Sequence, residues 1–202
     1  MKMHRQCFLG FAGFVSSLAL TSCSLMPQAQ MDPTRFYVLS PSSTAAAPVA
    51  NAPVVHLRPV ELASYLRERP LIVRRGDNEI AFREYARWGE PLELGIARVL
   101  REELLIRGAA ATVSTSGLRS HIDEKDFVLN VRVLACEGAA HGAVIFRAVW
   151  ELSKGVSKAP IASGDFRPTD LRWDGKSEAS LAAQLSRAVT GLAEEISGAV
   201  KK

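Results

Sequence analysis

The chain has 202 residues, of which 23% are charged, and a formal net charge of +4. Lys2 and Arg5 precede Cys23 with no acidic residue among them, so the remainder of the chain is nearly neutral. This balance gives no reason to expect a nucleic-acid partner.

The N-terminus has the pattern of a secretory signal peptide. Residues 1–6 are basic, and the apolar residues 7–20 are fewer than the roughly 20 that a membrane-spanning helix needs. We therefore predict a signal peptide over residues 1–22. The sequence LTSC that ends at Cys23 resembles the bacterial lipobox, which implies that Cys23 is lipidated and becomes the first mature residue. An ordinary cleaved signal peptide and an uncleaved anchor are the alternatives.

Lipidation of Cys23 would hold the mature protein on a membrane. Each methylene buried in the bilayer contributes about 0.8 kcal/mol to the free energy of membrane binding. One acyl chain such as palmitate therefore binds only marginally, whereas two or three chains hold the protein firmly. Residues 23–33 are predicted to be this lipidated N-terminus and a tether, and ten such residues span under about 20 Å as a coil. Ser24, by analogy with enterobacterial lipoproteins, favours the periplasmic face of the outer membrane over that of the inner membrane.

Residues 34–202 are numerous enough for one domain with a hydrophobic core. Once Cys7 is removed and Cys23 is lipidated, Cys136 has no partner for an intramolecular disulfide, so packing alone must hold the fold. Residues 41–53 are rich in Ala, Ser and Pro and are predicted to be a loop. Period-two alternation and turn residues predict about eight strands. These span residues 35–40, 54–59, 71–75, 79–82, 110–114, 127–135, 143–152 and 159–166.

Apolar residues at three- and four-residue spacing predict two helices, over residues 91–107 and 177–199. Gly108 is predicted to end the first helix, and Ser177 to cap the second. The elements together predict an α/β domain of the α+β type. Its architecture would be a two-layer sandwich, in which two long helices cover one face of a mixed, mostly antiparallel sheet.

Motifs that carry catalysis or bind metals and cofactors are missing from the sequence. His56, His121 and His141 are far apart, and no HExxH, CxxC, GxSxG or phosphate-binding loop is present. Cys136 follows an apolar strand and is interpreted as a buried structural thiol. The acidic group of Asp123, Glu124 and Asp126 is interpreted as solvated loop charge. We therefore expect no catalytic residue, cofactor or metal, although a triad dispersed through the chain remains an alternative.

An arginine-rich stretch between Arg67 and Arg87 leads into the sequence YARWGEPL at residues 85–92. Acidic residues interleave with the arginines, which favours a salt-bridged surface over contact with anionic lipid head groups or an acidic partner. Tyr85 and Trp88 stand at a predicted strand-to-helix corner. Large aromatic residues there either pack on the core or contact a partner, and we favour the core.

Four features in this order resemble the ABC-type transport auxiliary lipoproteins, the PqiC-like family. They are the lipobox, FYVLS at residues 36–40, VELASYLRERPLIVRRGDNEI at residues 60–80, and YARWGEPL. Residues matching the family pattern are Arg69, Pro70, Arg87, Trp88, Glu90, Pro91 and Leu92. Ala63 departs from the pattern, because the family often has proline there. The resemblance covers nearly the whole mature chain.

The resemblance implies a non-enzymatic lipoprotein domain that works beside an MCE-domain protein and an inner-membrane component to move lipids across the envelope. It also implies that a homo-oligomeric ring can form and dock on the MCE protein. A structural or assembly lipoprotein of the cell envelope is the alternative function, and an enzyme with a dispersed active site ranks last.

Overall fold

The computed structural model describes residues 31–42, 52–115, 122–157 and 159–202. The predicted signal peptide, Cys23, most of the tether and His121 lie outside the described residues. Residues 34–202 form one unit by their internal contacts. Among the described residues, no helix combines the length and the hydropathy needed to cross a bilayer.

Nine strands of the described chain form one mixed sheet. In chain order they are β1 (Arg35–Tyr37), β2 (Val54–Leu57), β3 (Glu61–Leu62), β4 (Pro70–Arg74), β5 (Ile80–Trp88), β6 (Thr112–Ser114), β7 (Phe127–Ala139), β8 (Val144–Lys154) and β9 (Pro160–Phe166). A 3-10 helix, Ser64–Arg67, lies between β3 and β4. β3 escaped prediction because two residues are too few to show an alternation.

The long strand β7 organises the sheet. On one side it pairs in parallel with β2, β3 and β4 in turn, and on the other side it pairs antiparallel with β8, which pairs antiparallel with β9. β2 then continues to β6, while β4 continues to β5 and β1. The sheet therefore has β9 at one edge and, at the opposite side, an arm that ends in β1.

The two longest strands, β7 and β8, show the predicted alternation of buried and exposed side chains. Leu129, Val131 and Val133 of β7 are buried while Asn130 and Arg132 between them are exposed. β8 buries Val144, Phe146, Ala148 and Trp150 in the same way. Side chains on the buried positions meet the helices, as expected for strands with one covered face.

Helix α1 (Leu92–Ile106) and helix α2 (Glu178–Val200) form the second layer. Helix α2 lies across β7, β8 and β9, and α1 packs along α2 beside β6. The backbone N–H of Ser180 donates to the Ser177 hydroxyl at 3.3 Å, which confirms the predicted cap, and Gly108 follows α1 at a φ of 60°. The α+β prediction of two helices on a mixed sheet is thus confirmed.

Candidate functional site

The corner between β5 and α1 joins three parts of the domain. Trp88, the last residue of β5, is 4% exposed, and its backbone N–H donates to the carbonyl of Arg69 at 2.8 Å. The next N–H, of Gly89, donates to the carbonyl of Tyr37 at 2.8 Å. The corner therefore fixes β1 and the start of β4 to the beginning of α1.

An ion pair completes this corner from the helix side. The Arg98 guanidinium donates to Glu90 Oε1 at 2.6 Å and to the carbonyl of Leu39 at 2.8 Å. The hydrogen bond to Glu90 raises the pKa of Arg98. A Cβ on Gly95 would come within 3.1 Å of Glu90 Oε1, so the glycine leaves room for this carboxylate. Glu90 and Trp88 thus serve the structure of the corner.

The outer side of the same corner carries exposed apolar side chains. Phe36 is 64% exposed, Val38 54% and Tyr85 51%. Phe36 stands opposite Arg87 in the β1–β5 register, and a Cβ on Gly89 would meet both Val38 and Phe36. Arg87 is exposed and has no ion-pair partner among the described residues. We call Phe36, Val38, Tyr85 and Arg87 the edge patch.

A groove runs along the outer surface of α2. Residues 37–42 form one wall, residues 166–171 form the other, and the cavity volume is about 1090 Å³. The Ser40 N–H donates to the Ser186 hydroxyl at 3.1 Å, and that hydroxyl donates to the carbonyl of Ala182 at 2.9 Å, so the first wall is tied to the helix. The described lining contains no histidine or cysteine. The groove therefore offers space at the surface of the helix, lined by hydroxyl, carboxylate and guanidinium side chains.

The sequence model of one family, the ABC-type transport auxiliary lipoprotein component, matches residues 37–197. The chain belongs to this family. The match begins within β1 and ends within α2, so it covers nearly all of the folded domain of this auxiliary lipoprotein.

Solved structures agree on the fold. An uncharacterised protein with 17% identity aligns at a TM-score of 0.68 over 83% of this chain and 98% of its own. A Xanthomonas campestris protein of the DUF330 family, with 18% identity, aligns at 0.65 over 82% and 93%. A PelC dodecamer from Paraburkholderia phytofirmans reaches 0.40 at 13% identity over 76% and 91%, too low to bear on the fold. No curated protein matches the chain.

The auxiliary lipoprotein contains one buried acid–base pair that the sequence did not reveal. His56 Nε2 lies 2.9 Å from Asp126 Oδ2, and both residues are buried. Burial opposes ionisation of Asp126, but the hydrogen bonds from His56 and from the backbone of Asp123 outweigh it and lower the pKa of Asp126. The interpretation of Asp126 as solvated loop charge is therefore wrong. The two partners are 70 positions apart, and no local pattern links them.

A second polar contact lies where β4 meets β7 in this auxiliary lipoprotein. Arg74 Nε donates to Glu137 Oε1 at 2.6 Å, and Glu137 is completely buried. Burial, followed by the charge of Glu137, raises the pKa of Tyr65 to about 12. Burial likewise raises the pKa of the Cys136 thiol, which argues against a nucleophilic role.

The remaining candidate residues are scattered. Arg74, Arg75 and Arg83 have carboxylate partners, as a salt-bridged surface requires, whereas Arg87 has none in the described chain. His141 is exposed and far in sequence from the buried His56. The described residues contain no group of three or more His, Cys, Asp or Glu side chains that could hold a metal ion.

Proposed function

We propose that this protein is a non-enzymatic, lipid-anchored accessory component of an MCE-type intermembrane lipid transport system. The observation that carries the proposal is the match of residues 37–197 to the ABC-type transport auxiliary lipoprotein family. The family establishes a lipoprotein of a transport system, and the MCE system is our more specific inference.

Anchoring follows from the N-terminal sequence. Cys23 receives the lipid, and Ser24 directs the protein to the periplasmic face of the outer membrane rather than to the inner membrane. The tether enters the domain at β1, so the folded body stays close to the lipid surface. Cys23→Ala should leave a folded domain that is no longer retained on membranes.

A binding role agrees with the chemistry of the described residues. The His56 ring is hydrogen bonded to Asp126, and burial of the Cys136 thiol raises its pKa. An accessory protein needs surfaces rather than reactive groups, and both the groove along α2 and the edge patch are available for contacts. The partners in this proposal are the MCE-domain protein and further copies of the chain in a homo-oligomeric ring.

A pull-down tests the assignment. Lipidated protein with a C-terminal affinity tag, extracted from membranes in mild detergent, should retain an MCE-domain protein, and native mass spectrometry should show a multiple of the protomer mass. Retention of an outer-membrane barrel or cell-wall fragment without any transport component would overturn the proposal in favour of a structural lipoprotein. The Cys23→Ala protein, mixed with detergent-solubilised partner, separates failure of targeting from failure of binding.

A further inference from the structure

The edge patch spans β5 and β1, and β1 has no neighbour on its outer side in the described chain. β1 ends the arm formed by β4 and β5, and in the described chain it pairs only with β5. Within the strand, Phe36 is exposed while Tyr37 packs on the core, and Val38, the residue after β1, is again exposed. Unpaired strand edges with exposed apolar side chains are unfavourable in water unless something covers them.

We propose that the edge patch rests on the bilayer that holds the lipid anchor, with Phe36, Val38 and Tyr85 in the interfacial layer and Arg87 at the lipid phosphates. This inference depends on the anchoring at Cys23 that is part of the proposed function. It adds a second, non-covalent membrane contact that fixes how the domain is oriented on the lipid surface.

The length of chain before the patch supports a lipid occupant. Phe36 is thirteen positions after Cys23 in the sequence. A flexible segment of that length has an end-to-end distance of about 20 Å and a fully extended limit of about 45 Å. The patch therefore cannot move far from the acyl chains, whereas a surface on the far side of the domain can lie more distant from them.

The composition of the patch also fits an interface between lipid and water. Aromatic side chains collect at the head-group level of membranes, and an arginine beside them can reach phosphate while its stem stays among apolar groups. Arg87 satisfies this requirement, since no carboxylate in the described chain neutralises it. Anionic lipid head groups supply the missing negative charge.

Fluorescence quenching can test the contact directly. The chain has three tryptophans, Trp88, Trp150 and Trp173, and all are at most 5% exposed. Phe36→Trp therefore adds one exposed reporter at the patch. Ile161→Trp, at a position 56% exposed on β9, is the matched control at the opposite edge of the sheet. Both lipidated variants would be reconstituted in phosphatidylethanolamine–phosphatidylglycerol vesicles, with and without brominated phosphatidylcholine.

We expect brominated lipid to quench the Phe36→Trp reporter several-fold more than the Ile161→Trp reporter. Adding Arg87→Glu should reduce that quenching more on anionic vesicles than on vesicles of phosphatidylcholine alone, because only the former carry a net negative charge. Val38→Trp provides a second reporter should Phe36→Trp fail to fold by circular dichroism.

Vesicle flotation separates the two proposals. Variants that do not float with vesicles would refute the anchor, and with it the proposed localisation. If both variants float but brominated lipid quenches the Phe36→Trp and Ile161→Trp reporters equally, the proposed membrane contact is overturned and the anchor is not. If the Phe36→Trp side chain were buried in the absence of lipid, in a species of higher native mass, the edge patch would be the contact with a second copy of the chain. If the Phe36→Trp side chain became buried only after addition of the MCE-domain protein, the edge patch would be the contact with that partner. Either result would overturn the proposal.

Discussion

Two edge strands of the sheet, β1 and β9, carry different side chains at their exposed surfaces. On β9, Asp165 accepts hydrogen bonds from Arg147 and Arg167, so charged groups occupy the surface. At β1, Phe36 and the following Val38 are exposed, and Arg87, which stands opposite Phe36, has no carboxylate partner in the described chain. Charges along an edge keep it soluble and unpaired, whereas an apolar edge favours contact with another surface.

The difference indicates that two parts of one sheet differ in how they are paired and in what they expose. The half formed by β7, β8 and β9 has long antiparallel pairings and lies beneath α2. The arm formed by β4, β5 and β1 joins β7 through only two registered pairs, Val73 with Gly138 and Arg74 with Ala139. β1, the first strand of the described chain, belongs to this arm, and the predicted tether precedes it in the sequence. The following variants test whether stability and contact are separated in this way.

The largest expected effect comes from the core beneath the edge patch. Trp88→Ala removes an indole that is 4% exposed and should lower the free energy of unfolding by about 3–5 kcal/mol, through lost burial and the cavity left behind. Tyr85→Ala, on the exposed side of the same strand, should cost about 1 kcal/mol or less. Urea unfolding followed by circular dichroism measures both. Equal losses would show that the corner does not separate a structural inner side from an outer contact side.

The junction between the arm and β7 gives the next largest effect. Arg74→Leu leaves the fully buried Glu137 without its cation and should cost about 3 kcal/mol. Arg75→Leu is the matched control, because the neighbouring Arg75–Glu79 pair is exposed at 3.8 Å and contributes about 0–0.5 kcal/mol. Hydrogen exchange should show faster opening of β4 and β5 in Arg74→Leu alone. Unchanged exchange in both variants would mean that the ion pair does not hold the arm.

A smaller effect is expected on the β9 side, where backbone and helix approach closely. A Cβ at Gly164 would come 2.5 Å from Trp150 Nε1 and 2.6 Å from Glu195 Oε1, which are themselves hydrogen bonded. Gly164→Ala should therefore destabilise the protein by about 1–3 kcal/mol through overpacking. Gly198→Ala, on α2 with open space around it, should stabilise by up to about 1 kcal/mol because alanine favours the helix. Thermal unfolding distinguishes the two, and a neutral Gly164→Ala would argue against tight packing of α2 on β9.

Periodicity predicted the helices and the long strands because their apolar residues repeat over many positions. It placed Tyr85 and Trp88 at a strand-to-helix corner, and the structure puts Trp88 inside and Tyr85 outside. The order of the strands depends on pairings between distant segments, such as β4 with β7, and no local pattern encodes them.

Buried polar pairs could not be predicted from the sequence for the same reason. Glu137 lies within an apolar strand and Arg74 within another, so each resembles an ordinary surface charge until β4 and β7 are paired. The edge patch was equally hidden, because Phe36 and Tyr37 are adjacent aromatic residues that differ only in the face they occupy. A sequence shows which residues are apolar, whereas the register decides which of them remain uncovered.

The smallest effect tests the charged edge itself through its dependence on pH. Hydrogen bonds from Arg167 and then Arg147 hold the pKa of Asp165 well below its ordinary value. A carboxyl whose folded-state pKa is depressed adds stability above its unfolded pKa of about 3.9, and this contribution is lost as the pH falls toward the folded value. Asp165→Asn should therefore reduce slightly the loss of stability between about pH 5 and pH 2, measured by urea unfolding at each pH. Because the group is exposed, salt should shrink the difference between variant and parent. If the variant and the parent had identical pH profiles at low salt, the ion pairs of Asp165 would not stabilise the folded domain. The charges at β9 would then differ from the apolar β1 edge only by keeping separate molecules apart through repulsion.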